Sequence, residues 1–304
     1  MKRIAILATV LAVPALSLAQ YSNPSASQSA PQNPPAAQGT GAQGATPAAP
    51  PQGKRPPQAK TQPEFDAYKV AVANTDPAAM EKAVDDFATK FPDSELRVVL
   101  YKTAMRAYQS GNNPDKMTQM GRKVLALDPD DPEALVMVAG VVAERTRETD
   151  LDKDQRYEEA IKMAQHATQT VDTDVAVPTG TPPDKVEAYK ALIRSNAYSI
   201  MGTVEFNQEK YAAAEADLRK SIDAYPSQPD PVVVLRLALS LDKQNRYPDA
   251  LKEANRAVEL TQENTTVGSL ARKERDRLIQ LTGGTPPAPK SPSGASGTNP
   301  PSKN

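Results

Sequence analysis

Apolar and small residues recur at spacings of three and four through the middle of the chain. Three segments share the form Tyr-x-x-Ala and begin at Tyr157, Tyr211 and Tyr247. In each segment the next apolar or small residues follow the Ala after four and then three places, as Ala164 and Ala167, Leu218 and Ser221, and Ala254 and Ala257. A helix brings residues at these spacings to one face. The pattern therefore predicts three amphipathic helices of the same kind.

A second helix of matching pattern precedes two of these segments. Tyr198-x-x-Met201-Gly202 lies before Tyr211, and Val234-x-x-Leu237-Ala238 lies before Tyr247, with an offset of 36 between the copies in both cases. Prolines close several of the helical stretches, at Phe91-Pro92, Leu127-Asp128-Pro129 and Tyr225-Pro226. Proline ends a helix because it lacks the backbone donor and clashes with the preceding turn. The sequence thus predicts repeated pairs of antiparallel helices.

This repeat resembles the tetratricopeptide repeat family. The best match is residues 195–228, where Glu205 replaces the aromatic residue that the family has. The matching positions are Tyr198, Met201, Gly202, Ala214, Leu218, Ser221 and Pro226. Small residues such as Gly202 and Ala214 are expected to let the two helices of a pair approach closely.

Weaker copies of the repeat cover nearly all of the middle of the chain. They span residues 64–92, 98–131, 132–169 and 231–262, the third with about nine extra residues in its turn. Thr265–Leu281 has one apolar side and many charges elsewhere, as in a polar-faced capping helix. The resemblance implies an all-α fold, a right-handed α-solenoid of about five helix hairpins plus a C-terminal capping helix, in which stacking buries one continuous core.

The first nineteen residues have the pattern of a secretory signal peptide. Lys2-Arg3 precedes an apolar stretch from Ile4 to Leu18, and Ser17-Leu18-Ala19 places small residues before a cleavage point. The stretch is too short to span a bilayer, and no other segment is apolar enough to do so. We therefore expect an exported protein without a membrane span after cleavage, in the periplasm or outside the cell of a bacterium.

Two segments of low complexity flank the predicted solenoid, residues 64–283. Residues 20–63 contain ten of the 29 prolines, among Gln, Ala, Ser and Gly, and residues 284–304 are rich in Pro, Ser and Gly. Such compositions offer too little apolar surface to offset the entropy of ordering. Both are predicted to be disordered, the first as an arm and the second as a tail.

The charge distribution argues against nucleic acid as a partner. The first acidic residue is Glu64 and the last is Asp276. Of the 36 Lys and Arg residues, seven lie in the two end segments, which leaves 29 against 37 acidic residues in between. Binding to phosphates requires clustered cations, and an acidic solenoid does not supply them.

One acidic stretch has the alternating spacing of a calcium loop. Asp150, Asp152 and Asp154 carry the carboxylates, but Gln155 stands where the loop needs Gly and Ile161 where it needs a bidentate Glu. A charged, solvated insertion is the favoured interpretation, and no metal site is predicted. The stretch still marks the longest turn.

The remaining chemistry gives no catalytic site. The chain has no Cys and a single histidine, His166, on a helix expected to pack against its neighbours. No Ser-His-Asp order, phosphate loop or His-Glu-x-x-His motif occurs. The protein is predicted not to be an enzyme and to need no cofactor.

The resemblance implies a function in binding proteins. In the family, a concave groove lined by the first helix of each pair holds a segment of a partner protein. The corresponding positions here are Val99, Lys102, Arg106, Val136, Gly140, Asn196, Ser199, Thr203, Phe206, Leu235 and Leu239. Lys102 and Arg106 lie one turn apart, so that they can meet a carboxylate. The Lys and Asn set by which some members hold a C-terminal carboxylate is not reproduced. The alternative is a structural spacer or envelope-assembly component whose N-terminal arm makes the key contact.

Overall fold

The computed structural model describes residues 54–178 and 180–284, and these residues form eleven α-helices and no β-strand. The helices are α1 Gln62–Val72, α2 Pro77–Lys90, α3 Leu96–Ser110, α4 Pro114–Leu127, α5 Pro132–Arg145, α6 Lys153–Thr170, α7 Pro183–Asn207, α8 Tyr211–Ala224, α9 Pro231–Lys243, α10 Tyr247–Glu259 and α11 Thr266–Leu281. The predicted signal peptide and most of the predicted arm and tail lie outside the described residues.

Four helices begin with the same local signal, an Asp or Asn followed by a proline. In α2, α4, α5 and α9 the side chain of the capping residue accepts a hydrogen bond from a backbone N–H of the first turn. The capping residues are Asp76, Asn113, Asp131 and Asp230. Proline fits the next position because its missing N–H would have no partner there. These dipeptides set where the helices start.

Three of the helix pairs share one tight turn. Asn112, Glu209 and Asn245 each have a positive φ and stand two residues before the second helix of the pair. In each turn the following residue donates its N–H back to a carbonyl five residues earlier, as from Lys210 to Glu205 at 2.9 Å. This is the helix-ending motif that a left-handed residue makes possible. The repeat is thus present in the backbone as well as in the side chains.

The helices stack as five consecutive pairs, α1–α2 to α9–α10, followed by α11. Each helix packs on the next in the chain, and most odd-numbered helices also contact the following odd-numbered helix. The odd-numbered helices therefore line the inner face. Buried Leu, Val, Met, Ala and Tyr side chains form clusters that pass from one pair to the next. The predicted all-α solenoid of about five hairpins with a capping helix is confirmed.

Two glycines mark places where helices come unusually close. A Cβ atom on Gly202 in α7 would stand 2.7 Å from Cγ of Leu218 in α8, which is the close approach expected from the sequence. A Cβ atom on Gly121 in α4 would stand 2.5 Å from Cγ2 of Val138 in α5. Gly121 is atypical for the repeat, and its packing against α5 explains it.

The structure differs from the sequence-based boundaries at two places. Helix α7 begins at Pro183, twelve residues before the best repeat match at 195, and so extends well beyond the usual repeat. Helix α1 begins at Gln62, and residues 54–61, which fall within the predicted arm, run along the solenoid and contact it. The extension of α7 and the segment 54–61 both bring side chains onto the solenoid that the repeat pattern does not predict.

Candidate functional site

The inner face has two parts that differ in how their charges are satisfied. The first, which we call the paired cluster, consists of Lys102 and Arg106 on α3, Asp131 and Glu133 at the start of α5, and Tyr189 on α7. The second, which we call the open groove, runs over α7, α9 and α11. It is formed by Thr203, Leu235, Arg236, Leu239, Leu270 and Lys273.

In the paired cluster, two cations and two carboxylates neutralise each other. Arg106 holds Glu133 with two bonds, from Nε and Nη2 to the two carboxylate oxygens, both at 2.5 Å. The Lys102 ammonium lies 2.7 Å from Asp131 and 3.1 Å from Glu133. Such bidentate, charge-assisted contacts are among the strongest polar contacts in proteins. They join α3 to α5 across the inner face.

Burial and charge act against each other in this cluster, and charge prevails. Burial alone would raise the pKa of the Glu133 carboxyl, but Lys102 and Arg106 outweigh it and hold the pKa well below its usual range. Burial would lower the pKa of Lys102, yet Glu133 and Asp131 raise it. The Tyr189 hydroxyl has its pKa raised by burial and then by the Glu133 charge. The charges of Lys102, Arg106 and Glu133 therefore persist over the ordinary pH range.

The extra length of α7 completes this cluster. Tyr189 lies in the turns of α7 that precede the repeat match, and its hydroxyl is buried without a hydrogen bond of good geometry among the described residues. Further along the same turns, Arg194 pairs with Asp172 of the loop before α7. The extension of α7 thus covers the charged side chains of α3 and α5.

In the open groove, apolar side chains line a cleft between α9 and α11. Its volume is about 360 Å³, and it is lined by Leu235, Leu239, Leu270, Lys273, Glu274 and Arg277. Leu270 is 42% exposed, which is high for a large apolar side chain. At the rim, Arg277 pairs with Asp242 and Glu274, whereas Lys273 has no ion pair within the described residues. The cleft therefore combines an apolar floor with a free cation.

Arg236 stands on α9 beside this cleft, one turn before Leu239. Its guanidinium donates one hydrogen bond, 2.8 Å long, to the Thr203 hydroxyl of α7. Within residues 54–178 and 180–284 no carboxylate lies within 4.0 Å of it. Burial lowers the pKa of Arg236, and the more distant Asp230 offsets this only partly. A guanidinium has five N–H donors, and within the described residues only one of them has an acceptor.

A carboxyl group near the end of α7 is also left without a counterion. Glu205 occupies the position where the repeat family has an aromatic residue, and its Oε2 atom is buried without a hydrogen bond in the described part of the chain. Burial, together with the negative charge of Asp217, raises the pKa of Glu205 to about 7. Asp217 itself is paired with Lys220 at 2.8 Å. Proton uptake at this site is therefore expected near neutral pH.

The structure distributes the predicted groove residues among three settings. Lys102 and Arg106 belong to the paired cluster. Four others serve the packing of the helices. Val99 packs against the N-terminal core, Val136 against the central core and Phe206 against the C-terminal core. Gly140 faces Ile200 of α7. The rest lie on α7 and α9, where Asn196 is exposed, the Ser199 carbonyl accepts a bond from Thr203, and Thr203, Leu235 and Leu239 line the open groove.

Three residues of the open groove lie outside the sequence prediction. Arg236 is the only charged residue between Pro231 and Leu241, in a run that is otherwise apolar except for Ser240. A lone arginine in such a helix is a usable signal. Leu270 and Lys273 belong to the capping helix, which the repeat pattern does not include in the groove.

The two stretches with candidate metal ligands are occupied by other contacts. Asp152 pairs with Arg156 at 2.8 Å, and Asp150 accepts the N–H of Arg147. His166 Nε2 lies 2.7 Å from Asp130. Among the residues that the structure describes, no group of three or more His, Cys, Asp or Glu side chains is arranged to hold a metal ion. None of the described helices is both long and apolar enough to cross a membrane.

Comparison with known proteins shows similarity at the level of the fold. No family model and no curated protein sequence matches this chain. A solved structure of Pseudomonas aeruginosa PilF is similar, with a TM-score of 0.51 and 18% identity over 73% of this chain and 87% of that one. The MamA protein gives 0.45 at 16% identity over 66% and 91%, and a thermophilic TPR protein of Thermus thermophilus gives 0.43 at 13% over 69% and 98%.

The similarity to PilF agrees with the five stacked helix pairs and the capping helix described above. At 18% identity it concerns the fold and says nothing about a shared partner. The fold of this chain is an α-solenoid of the tetratricopeptide repeat type.

Proposed function

We propose that the protein is a non-catalytic scaffold that binds a segment of a partner protein in the open groove. The observation that carries this proposal is the position of Arg236, which is partly buried on the inner face and, among the residues that the structure describes, has only the Thr203 hydroxyl as its hydrogen-bond partner. A cation in such a setting is costly unless an anion pairs with it. A carboxylate from a bound segment would supply that anion.

The neighbouring cleft indicates what the rest of the segment contains. Leu235, Leu239 and Leu270 offer an apolar floor large enough for one bulky side chain. Leu239 and Arg236 are one turn apart on α9 and so are neighbours on the helix surface. We expect a segment with an acidic residue and a large apolar residue a few positions apart. In this proposal the side chains around the open groove serve to hold a ligand. Among these side chains, none is paired with another as a nucleophile with its base.

A peptide-display selection tests this function and requires no identified partner. Random peptides are selected on the purified chain, and the affinity of enriched peptides is measured by fluorescence polarisation. Peptides that carry an acidic and a bulky apolar residue should be enriched. Arg236→Met should weaken them at least about tenfold, since a charge-assisted contact is lost.

Arg122→Met is the matched control, because Arg122 is an exposed arginine on α4 that pairs with Glu159 away from the groove. It should leave the affinity unchanged. Enriched peptides that bind Arg236→Met as well as the unaltered chain would sink the proposal. Enrichment of peptides without acidic residues would show that Arg236 is not the contact that selects them.

The proposal includes export, which rests on the pattern of residues 1–19. An exported protein that binds segments of other proteins would work in the bacterial envelope, in the periplasm or outside the cell. The mass of the protein recovered from an envelope fraction tests this. Cleavage after Ala19 predicts a chain that begins at Gln20, and a mass that includes residues 1–19 would contradict it.

A further inference from the structure

The described part of the N-terminal arm lies against one edge of the solenoid. Residues 54–61 have no regular secondary structure and precede α1. Arg55 Nη2 contacts both carboxylate oxygens of Glu95, at 2.8 and 2.9 Å, and the Gln58 N–H donates to the same carboxylate at 3.3 Å. Lys60 Nζ donates to the Asp93 carbonyl at 2.7 Å. Both acceptors belong to the turn between α2 and α3.

Lys54 carries these contacts further along the same edge. Its ammonium lies 2.5 Å from Asp128, in the turn between α4 and α5, and 3.7 Å from Asp174, in the loop between α6 and α7. The segment therefore meets three successive turns that connect one helix pair to the next. Seven residues can span at most about 23 Å, and the long side chain of Lys54 completes the reach to the second and third of these turns.

The charges of the chain favour this contact at Lys54. Residues 20–53 contain no Asp, Glu, Lys or Arg, so none of them can form an ion pair with the acidic edge. Lys54 and Arg55 form ion pairs at the surface, and Gln58 and Lys60 add single hydrogen bonds, each of which is weak alone. Joined on one short chain, the contacts act together, because each holds the others near their partners.

We propose that residues 54–60 form a strap held by charge, which fixes the point at which the N-terminal arm leaves the solenoid. The part of the arm that precedes residue 54 then starts beside the α6–α7 loop, near the middle of the edge, and not at the start of α1. High salt weakens such contacts by screening, so the strap opens as ionic strength rises. By fixing this point, the strap sets the orientation of the open groove relative to any partner that the arm contacts.

Distances between two spin labels test the strap in the full chain. The sequence has no cysteine, so cysteines introduced at Gln52 and at the exposed Gln169, near the end of α6, are the only labelling sites. We expect a narrow distribution of distances at 0.05 M salt. At 1 M salt it should broaden at least about twofold, as for a released coil. A pair at Ala126 and Gln169 reports on the solenoid itself and should not change.

Charge reversal separates the role of charge from that of the chain. Lys54→Glu with Arg55→Glu should give the broad distribution even at 0.05 M salt. Arg55→Glu alone should broaden it partly, and adding Glu95→Arg should restore the narrow distribution. Lys82→Glu, which disturbs only an exposed pair with Asp86 on α2, is the control.

Two outcomes would overturn the proposal. A distribution that stays narrow in the doubly reversed variant means that charge does not hold the segment. A distribution that is broad in the unaltered chain at low salt means that the segment is not held at all.

Discussion

The two parts of the inner face are built from the same kind of helix but treat charge in opposite ways. In the paired cluster Glu133 stands between Lys102 and Arg106, and its pKa is well below the usual range. In the open groove Arg236 has the Thr203 hydroxyl as its one hydrogen-bond partner among the described residues, and no carboxylate of those residues lies within 4.0 Å of it. The first arrangement joins α3 to α5, and we propose that the second leaves a charge for a partner.

This difference follows from where the sequence places its acidic residues. The N-cap and first turn of α5 supply Asp131 and Glu133, which lie within reach of the cations on α3. The corresponding turn before α9 supplies Asp230, but its carboxylate caps α9 and lies more than 4.0 Å from Arg236. A solenoid can thus hold a stable part and a receptive part side by side, with the same helix packing in both.

The largest effect is expected from removing the central anion of the paired cluster. Glu133→Ala leaves Lys102 and Arg106 together with only Asp131 to compensate them. Breaking such a buried network should lower the free energy of unfolding by about 3 kcal/mol. Urea denaturation measures it. Glu158→Ala, which removes an exposed carboxylate on α6, should give no resolvable change, and an equally small loss for Glu133→Ala would mean that the cluster is not stabilising.

A pair of glycines, Gly140 on α5 and Gly202 on α7, tests how tightly the helices are packed. Gly202→Ala places a Cβ atom 2.7 Å from Cγ and 3.1 Å from the backbone nitrogen of Leu218, so α7 and α8 must separate. A loss of about 2 kcal/mol in unfolding free energy is expected. Gly140→Ala meets only Ile200 at 3.7 Å and should be neutral or stabilising by up to about 1 kcal/mol. Similar losses in both variants would refute this difference in packing.

The raised pKa of Glu205 predicts a dependence of stability on pH. A carboxyl whose pKa is higher in the folded than in the unfolded state binds its proton more tightly when folded. Stability is therefore lost as pH rises from about 4.5 to about 7. Glu205→Gln removes this loss and should be more stable than the unaltered chain at pH 8 by about 1 kcal/mol, allowing for solvent screening.

Thermal unfolding at pH 4 and pH 8 measures this effect. The two proteins should differ little at pH 4, where the carboxyl is protonated in both states. An equal difference at both pH values would show that the amide acts through packing and not through the charge of Glu205.

The smallest effect concerns the free cation at the rim of the open groove. Lys273 has no ion pair in the described residues and is exposed, so Lys273→Ala should weaken the selected acidic peptides only about two- to threefold. The effect should vanish at high salt, because the contact is exposed. Titrations at two salt concentrations check it. A loss as large as that of Arg236→Met would place the main anion contact on α11 instead of α9.

The repeat could be predicted from the sequence because it depends on local signals. The Tyr-x-x-Ala segments and the small residue at Gly202 specify helix pairs without reference to the neighbouring pairs. The predicted helix pairs and the close approach at Gly202 are confirmed. The start of α7 at Pro183 was not predicted, because the extension adds turns that the family pattern does not contain.

The site was harder to predict because its properties depend on which side chains face each other. Lys102 and Arg106 have the spacing that suits a bound carboxylate, but the register of α3 and α5 brings Glu133 between them. For Arg236 the opposite holds, since its importance comes from the absence of such a partner nearby. The binding role of the predicted groove residues remains a prediction.

The most direct test of the central claim compares one arginine from each part. Arg106→Met and Arg236→Met are measured for unfolding free energy and for affinity toward the selected peptides. Arg106→Met should lose about 2 kcal/mol of stability and keep its affinity, since it takes the bidentate partner away from the largely buried Glu133 carboxylate. Arg236→Met should keep its stability and lose at least about tenfold in affinity. If Arg106→Met folds normally and loses affinity as much as Arg236→Met does, the division of the inner face into a paired and an open part is wrong.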